Sequence, residues 1–106
     1  MITIIIKYTG KNGSAKEFAN EMISSGLVCQ IRSEEGNLRY QYLYSLEDKE
    51  SVYLIDSWVD QKALDIHHSL PLMKEISKLR EKYDLHMVVE KYSEIKENID
   101  EKFIRK

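Results

Sequence analysis

The chain has 106 residues, 42% of them apolar and 32% charged, with a formal net charge of −2. That length holds one hydrophobic core and not two, and the mix is that of an ordinary soluble globular domain. The nearly balanced charge provides no basic field to attract nucleic acid or an anionic membrane, and no apolar run approaches the roughly 20 residues of a membrane span. One cysteine, Cys29, excludes an internal disulfide and offers no metal-ligand spacing, so it is expected to be a small buried apolar residue. The opening MITIIIKYTG has neither the basic start nor the small-residue cleavage site of a secretory leader. It is expected to be a strand, and the cytoplasm is the expected compartment.

Residues 2–8 alternate as a strand, with Ile2, Ile4, Ile6 and Tyr8 on one face. Gly10 and Gly13 end it, and Asn12 or Ser14 can cap the helix that follows. That helix is predicted to reach about Ser33. Its stripe is Ala15, Phe18, Ala19, Met22, Gly26 and Cys29, with Gly26 able to bend or split it. Residues 38–44, LRYQYLY, form the second strand, with Leu38, Tyr40, Tyr42 and Tyr44 together. A polar loop leads to the third, residues 52–59, where Val52, Leu54, Asp56 and Trp58 share a face. Asp60 stands where an N-cap belongs and QKALDIHH makes a short helix. Ser69 is expected to cap another, with Pro71 in its first turn and Leu72, Ile76, Leu79 and Tyr83 as its stripe. Residues 85–92 form a fourth strand. The remaining tail carries Ile95, Ile99 and Phe103 at helical spacing.

The order is β-α-β-β-α-β, an α+β ferredoxin-like arrangement with a four-stranded antiparallel sheet and helices on one face. The domain is expected over 1–93, with 94–106 a tail that is either helical against a partner or frayed. Strands one and three are apolar on both faces. A second sheet is the simplest cover for the face without helices, so a homodimer packed through its sheet faces is predicted.

Few side chains suggest chemistry. Asp56 is a carboxylate on an apolar strand face, costly unless paired, so it is either a cap or solvent-reaching group or a pocket acid beside a histidine. Trp58 is either core filler or a flat pocket wall. His67 lies three and four residues after Leu64 and Ala63 and so faces inward, as a structural histidine or a general base. His68 is turned about 100° away, toward solvent. The histidines show no metal spacing. Tyr40, Tyr42 and Tyr44 could stack nucleobases, but Glu47, Asp48 and Glu50 nearby make that surface the wrong sign.

The run EEGNLRYQYLYSLEDKESVYLIDSWVDQKALDIHHSLPLMKEI, after the MITIIIKY strand, resembles the antibiotic biosynthesis monooxygenase superfamily of dimeric α+β barrels, which includes quinol monooxygenases. Gly36, Tyr40, Asp56, Trp58, Ala63, Leu64, His67 and Ser69 fit the family's run, and the likeness covers roughly residues 1–93. The resemblance implies a dimer with pockets between sheet and helices, and oxygenation of a quinol-like or polyphenolic aromatic without metal or flavin. On that reading His67 is the base or a phenolate-stabilising donor, Asp56 orients or tunes it, and Trp58, Tyr40 and Tyr42 line the cavity. Two other readings share the scaffold. One is a non-catalytic dimer that binds a small ligand or a protein. The other is an isomerase, for which Arg39 and Lys7 are the candidate phosphate cations, or a haem-degrading enzyme, whose strand-one asparagine this chain lacks.

Overall fold

The computed structural model describes residues 1–96 and 101–105. Its elements are β1 (Ile2–Thr9), α1 (Ser14–Ser24), α2 (Leu27–Arg32), β2 (Asn37–Tyr44), β3 (Ser51–Trp58), α3 (Gln61–Ser69), α4 (Leu72–Lys82) and β4 (His86–Ser93). The strands form one antiparallel sheet in the order β2-β3-β1-β4, the ferredoxin-like α+β arrangement. Alternation dictates which side of the sheet the helices cover. Ile4, Ile6 and Tyr8 of β1 and Val52, Leu54, Asp56 and Trp58 of β3 point to the helices and are buried.

The expected first helix is two helices, and the reason is Gly26. It takes φ +86°, which a side chain would resist, and the chain restarts its helical phase there. The stripe Ala15, Phe18, Ala19, Met22 therefore does not run on to Cys29. Leu27, Val28 and Ile31 are buried in its place. Cys29, expected inside, is exposed.

The start of α3 follows the sequence, because the Asp60 carboxylate accepts from the Ala63 N–H at 2.9 Å. Ser69 does not cap α4. It is the last residue of α3, and its hydroxyl donates back to the Ile66 carbonyl at 2.6 Å, so α4 starts behind Pro71 without a side-chain cap. Ile76 is the buried centre of α4, with Leu72, Met73, Leu79 and Tyr83 packed around the core.

The open face of the sheet is mixed. Ile5, Leu43, Tyr53 and Ile55 are half-buried there, while Ser57 and Ser51 bond Thr3 and Thr9 across the β1–β3 ladder, both at 2.8 Å. All of β4 is exposed. In the tail, Glu101–Phe103 form a single 3₁₀ turn, and Ile95 and Phe103 are exposed; Ile99, the middle of the expected stripe, lies outside the described residues. Among the described residues no helix is long and apolar enough to cross a membrane.

Candidate functional site

A cavity of about 210 Å³ opens between the sheet and the α3–α4 pair. Its apolar wall is built by Ile4 and Ile6 of β1, Leu54 of β3, Met73 and Ile76 of α4, and Met87 and Val89 of β4. Set into that wall are the polar groups of Tyr40, Asp56, His67, His68 and Arg80. Apolar walls with a few convergent polar groups are the usual make-up of a small-molecule site.

His67 reaches the cavity because α3 presents Ala63, Leu64 and His67 on one buried face. Its ring is almost wholly buried and lies 4.7 Å from the Trp58 indole, 29° from parallel. Nδ1 is 3.0 Å from both carboxylate oxygens of Glu34. Glu34 follows α2 in the turn before β2, and that turn is tied down on both sides. Its N–H donates to the Ile31 carbonyl at 3.0 Å, and its own carbonyl accepts from Asn37 at 3.1 Å. Gly36 lets the turn lie against α3. It takes φ +87°, and a Cβ there would stand 2.7 Å from the Ala63 Cβ.

Asp56 does not orient His67, as the sequence suggested. Its carboxylate accepts from the Trp58 indole N–H at 2.6 Å, two residues along the same strand face. Burial pushes the Asp56 carboxyl up to about 6, working against the Trp58 hydrogen bond and the neighbouring His67, which favour the charged form. The Tyr40 phenol is also pushed up by burial. Its hydroxyl meets that of Tyr42 at 3.5 Å. Arg80 donates from Nε to the Tyr8 hydroxyl at 3.2 Å and lies over the Tyr8 ring.

Of the five residues expected at a site, His67, Asp56 and Tyr40 meet at the cavity. Trp58 and Tyr42 do not line it. Trp58 is fully buried one layer back, as a plate behind His67. Tyr42 packs among Tyr8, Phe18 and Tyr40. His68 is exposed, as its helical position requires, yet its ring is 5.5 Å from that of His67 and forms part of the cavity's edge. Burial, then the adjacent His67, pulls the His68 imidazole below its ordinary range. Sequence reading missed Glu34 and Arg80. Neither has a local signal: Glu34 is one of two glutamates ending a helix, and Arg80 is one of several cations on α4.

Residues 1–79 match the family model for antibiotic biosynthesis monooxygenases, and the chain belongs to that family. Solved structures share the fold over nearly the whole chain. A putative antibiotic biosynthesis monooxygenase from Deinococcus radiodurans is similar at TM-score 0.80 and 14% identity, covering 92% of this chain and 96% of that one. A conserved protein from Methanosarcina mazei is similar at TM-score 0.73 and 27% identity, covering 86% and 89%. SnoaB, a cofactor-independent oxygenase from Streptomyces nogalater, is similar at TM-score 0.75 and 14% identity, covering 94% and 97%. No curated protein matches the chain.

Proposed function

We propose that the protein is a cofactor-independent monooxygenase of a quinol-like or polyphenolic aromatic. The observation that carries this is the buried His67 imidazole, which is held on one nitrogen by a carboxylate and belongs to the lining of a largely apolar cavity. An aromatic diol gives up electrons to O₂ far more readily once a hydroxyl is deprotonated, so the protein's work is to hold the ring and take the proton. His67 Nε2 takes it. One atom of O₂ enters the ring and the other leaves as water, with the substrate itself supplying the electrons. Tyr40 and the aliphatic wall hold the aromatic ring, and Trp58 keeps His67 from tilting away. Asp56 faces the same cavity and holds Trp58 in place. Family membership and the likeness to SnoaB, a cofactor-independent oxygenase, support the reading.

The protein is further proposed to act as a homodimer joined through the open sheet faces. The half-buried Ile5, Leu43, Tyr53 and Ile55 strip supports it. Sedimentation at micromolar concentration should give about twice the 12.5 kDa chain mass, and a single species at 12.5 kDa would remove the dimer.

The activity is tested by oxygen uptake with menadiol and a set of polyphenols, measured above spontaneous autoxidation for wild type and His67→Ala. Loss of uptake in the variant, roughly 100-fold or more, is expected. Uptake no faster than autoxidation, or uptake that survives the substitution, overturns the reading.

A further inference from the structure

We propose that Glu34 is a positioning residue that fixes the His67 imidazole as the tautomer protonated on Nδ1, so that the bare Nε2 is the atom offered to the cavity. The inference rests on the oxygenase reading for its kinetic consequence, but not for its structural one. A neutral imidazole carries one ring proton, and either nitrogen can hold it. A carboxylate can only accept. With both oxygens of Glu34 at 3.0 Å from Nδ1, the hydrogen bond exists only if the proton is on Nδ1. Among the described residues, Glu34 is the one hydrogen-bonding partner of the His67 ring. Among the described residues no buried side-chain nitrogen or oxygen lacks a partner, so Nε2 is not sealed in the core, and His67 is one of the residues that line the cavity.

The backbone around Glu34 is arranged to hold this geometry. The Glu34 turn is pinned to α2 and to β2, and the Gly36 carbonyl accepts from the Val59 N–H at 2.9 Å, which ties the turn to the end of β3 just before α3. His67 therefore sits on a helix whose starting point is fastened to the same turn that carries its carboxylate. The other side of Glu34 lines a groove with Val59, Asp60 and Ile66 on the outside of the molecule, and its side chain is 14% exposed. The carboxylate thus sits between solvent and a ring that is itself 3% exposed at the side chain. Stacking on Trp58 restricts the tilt of the ring, and Glu34 restricts its flip. Together they leave one orientation and one protonation site.

The test reads the tautomer directly. Protein labelled with ¹⁵N at histidine reports which ring nitrogen carries hydrogen, and the His67 signals are those lost in His67→Gln. Wild type, without any substrate, is expected to show Nδ1 protonated and Nε2 bare. Glu34→Gln presents an amide that can donate as well as accept, so part of the His67 population is expected to move its proton to Nε2. Glu34→Asp keeps an acceptor-only group and is expected to retain the wild-type tautomer. With menadiol, Glu34→Gln should lower kcat roughly 10- to 100-fold and leave KM near its wild-type value. Wild-type His67 protonated on Nε2, or an unchanged tautomer in Glu34→Gln, overturns the proposal. The wild-type spectrum decides even if a variant fails to fold. Turnover that survives His67→Ala would instead remove the oxygenase reading and leave the tautomer assignment standing.

Discussion

The two helix pairs cover the same sheet and treat it differently. Beneath α1, the sheet meets a solid aromatic plug: Phe18 lies 4.8 Å from Tyr8, 6.0 Å from Tyr42 and 6.4 Å from Tyr83, ring centre to ring centre. Beneath α3 and α4, the sheet meets a hollow, with a carboxyl, two imidazoles and a guanidinium in its wall. Close packing of the first region supplies stability, because filled apolar contacts are where mutation is most costly. The second region gives up that packing, and it buries Asp56 at a cost the fold must carry. One half of the molecule holds the other in shape.

The comparison can be broken by substitution. Phe18→Ala opens the plug and should destabilise the protein by about 3–5 kcal/mol in urea unfolding. A loss below about 1 kcal/mol would mean the plug is not the stabilising half. Asp56→Asn should act in the opposite sense. The folded carboxyl is raised to about 6 from an ordinary 3.8, so the native state binds more protons than the unfolded chain between those values. Stability from this group is then full below about pH 4 and falls as pH rises through 6. The variant, which cannot ionise, should match wild type at pH 4 and exceed it by about 2–3 kcal/mol at pH 7.5. Equal unfolding free energies at pH 7.5 would show that the buried carboxyl imposes no such cost.

Gly36→Ala joins the two regions to the turn between them. A left-handed φ and a 2.7 Å approach to Ala63 predict a loss of about 1–3 kcal/mol, with oxygen uptake falling because Glu34 is pushed off His67. Retained stability with full uptake would separate the turn from the site. Cys29→Ser should change stability by less than about 0.5 kcal/mol, since the thiol is exposed; a larger loss in thermal unfolding would place it in the core after all.

These contrasts also explain how far the sequence could be read. A strand's alternation is local, so Asp56 and Trp58 could be put on one face before any tertiary structure was known, and helical spacing likewise turned His67 in and His68 out. Gly26 marked a possible break, but the new phase of α2 depends on a left-handed residue whose angle the sequence does not state, and Cys29 was misplaced for that reason. Glu34 was out of reach altogether. Its partner is 33 positions away, and the two meet only after the β2–β3 ladder has brought the turn beside α3. The carboxylate nearest His67 along the strand pattern, Asp56, instead found an indole two residues away.

Trp58 is the chain's single tryptophan, and it lies against His67 with no exposure to water. The protein therefore carries its own optical gauge. Excited to the red of tyrosine absorption, its ultraviolet emission comes from one indole, and that indole reports on one imidazole. A compound that enters the cavity and engages His67 perturbs the ring through which the indole senses the cavity, so binding can be followed as a change in colour or intensity without a label and without turnover.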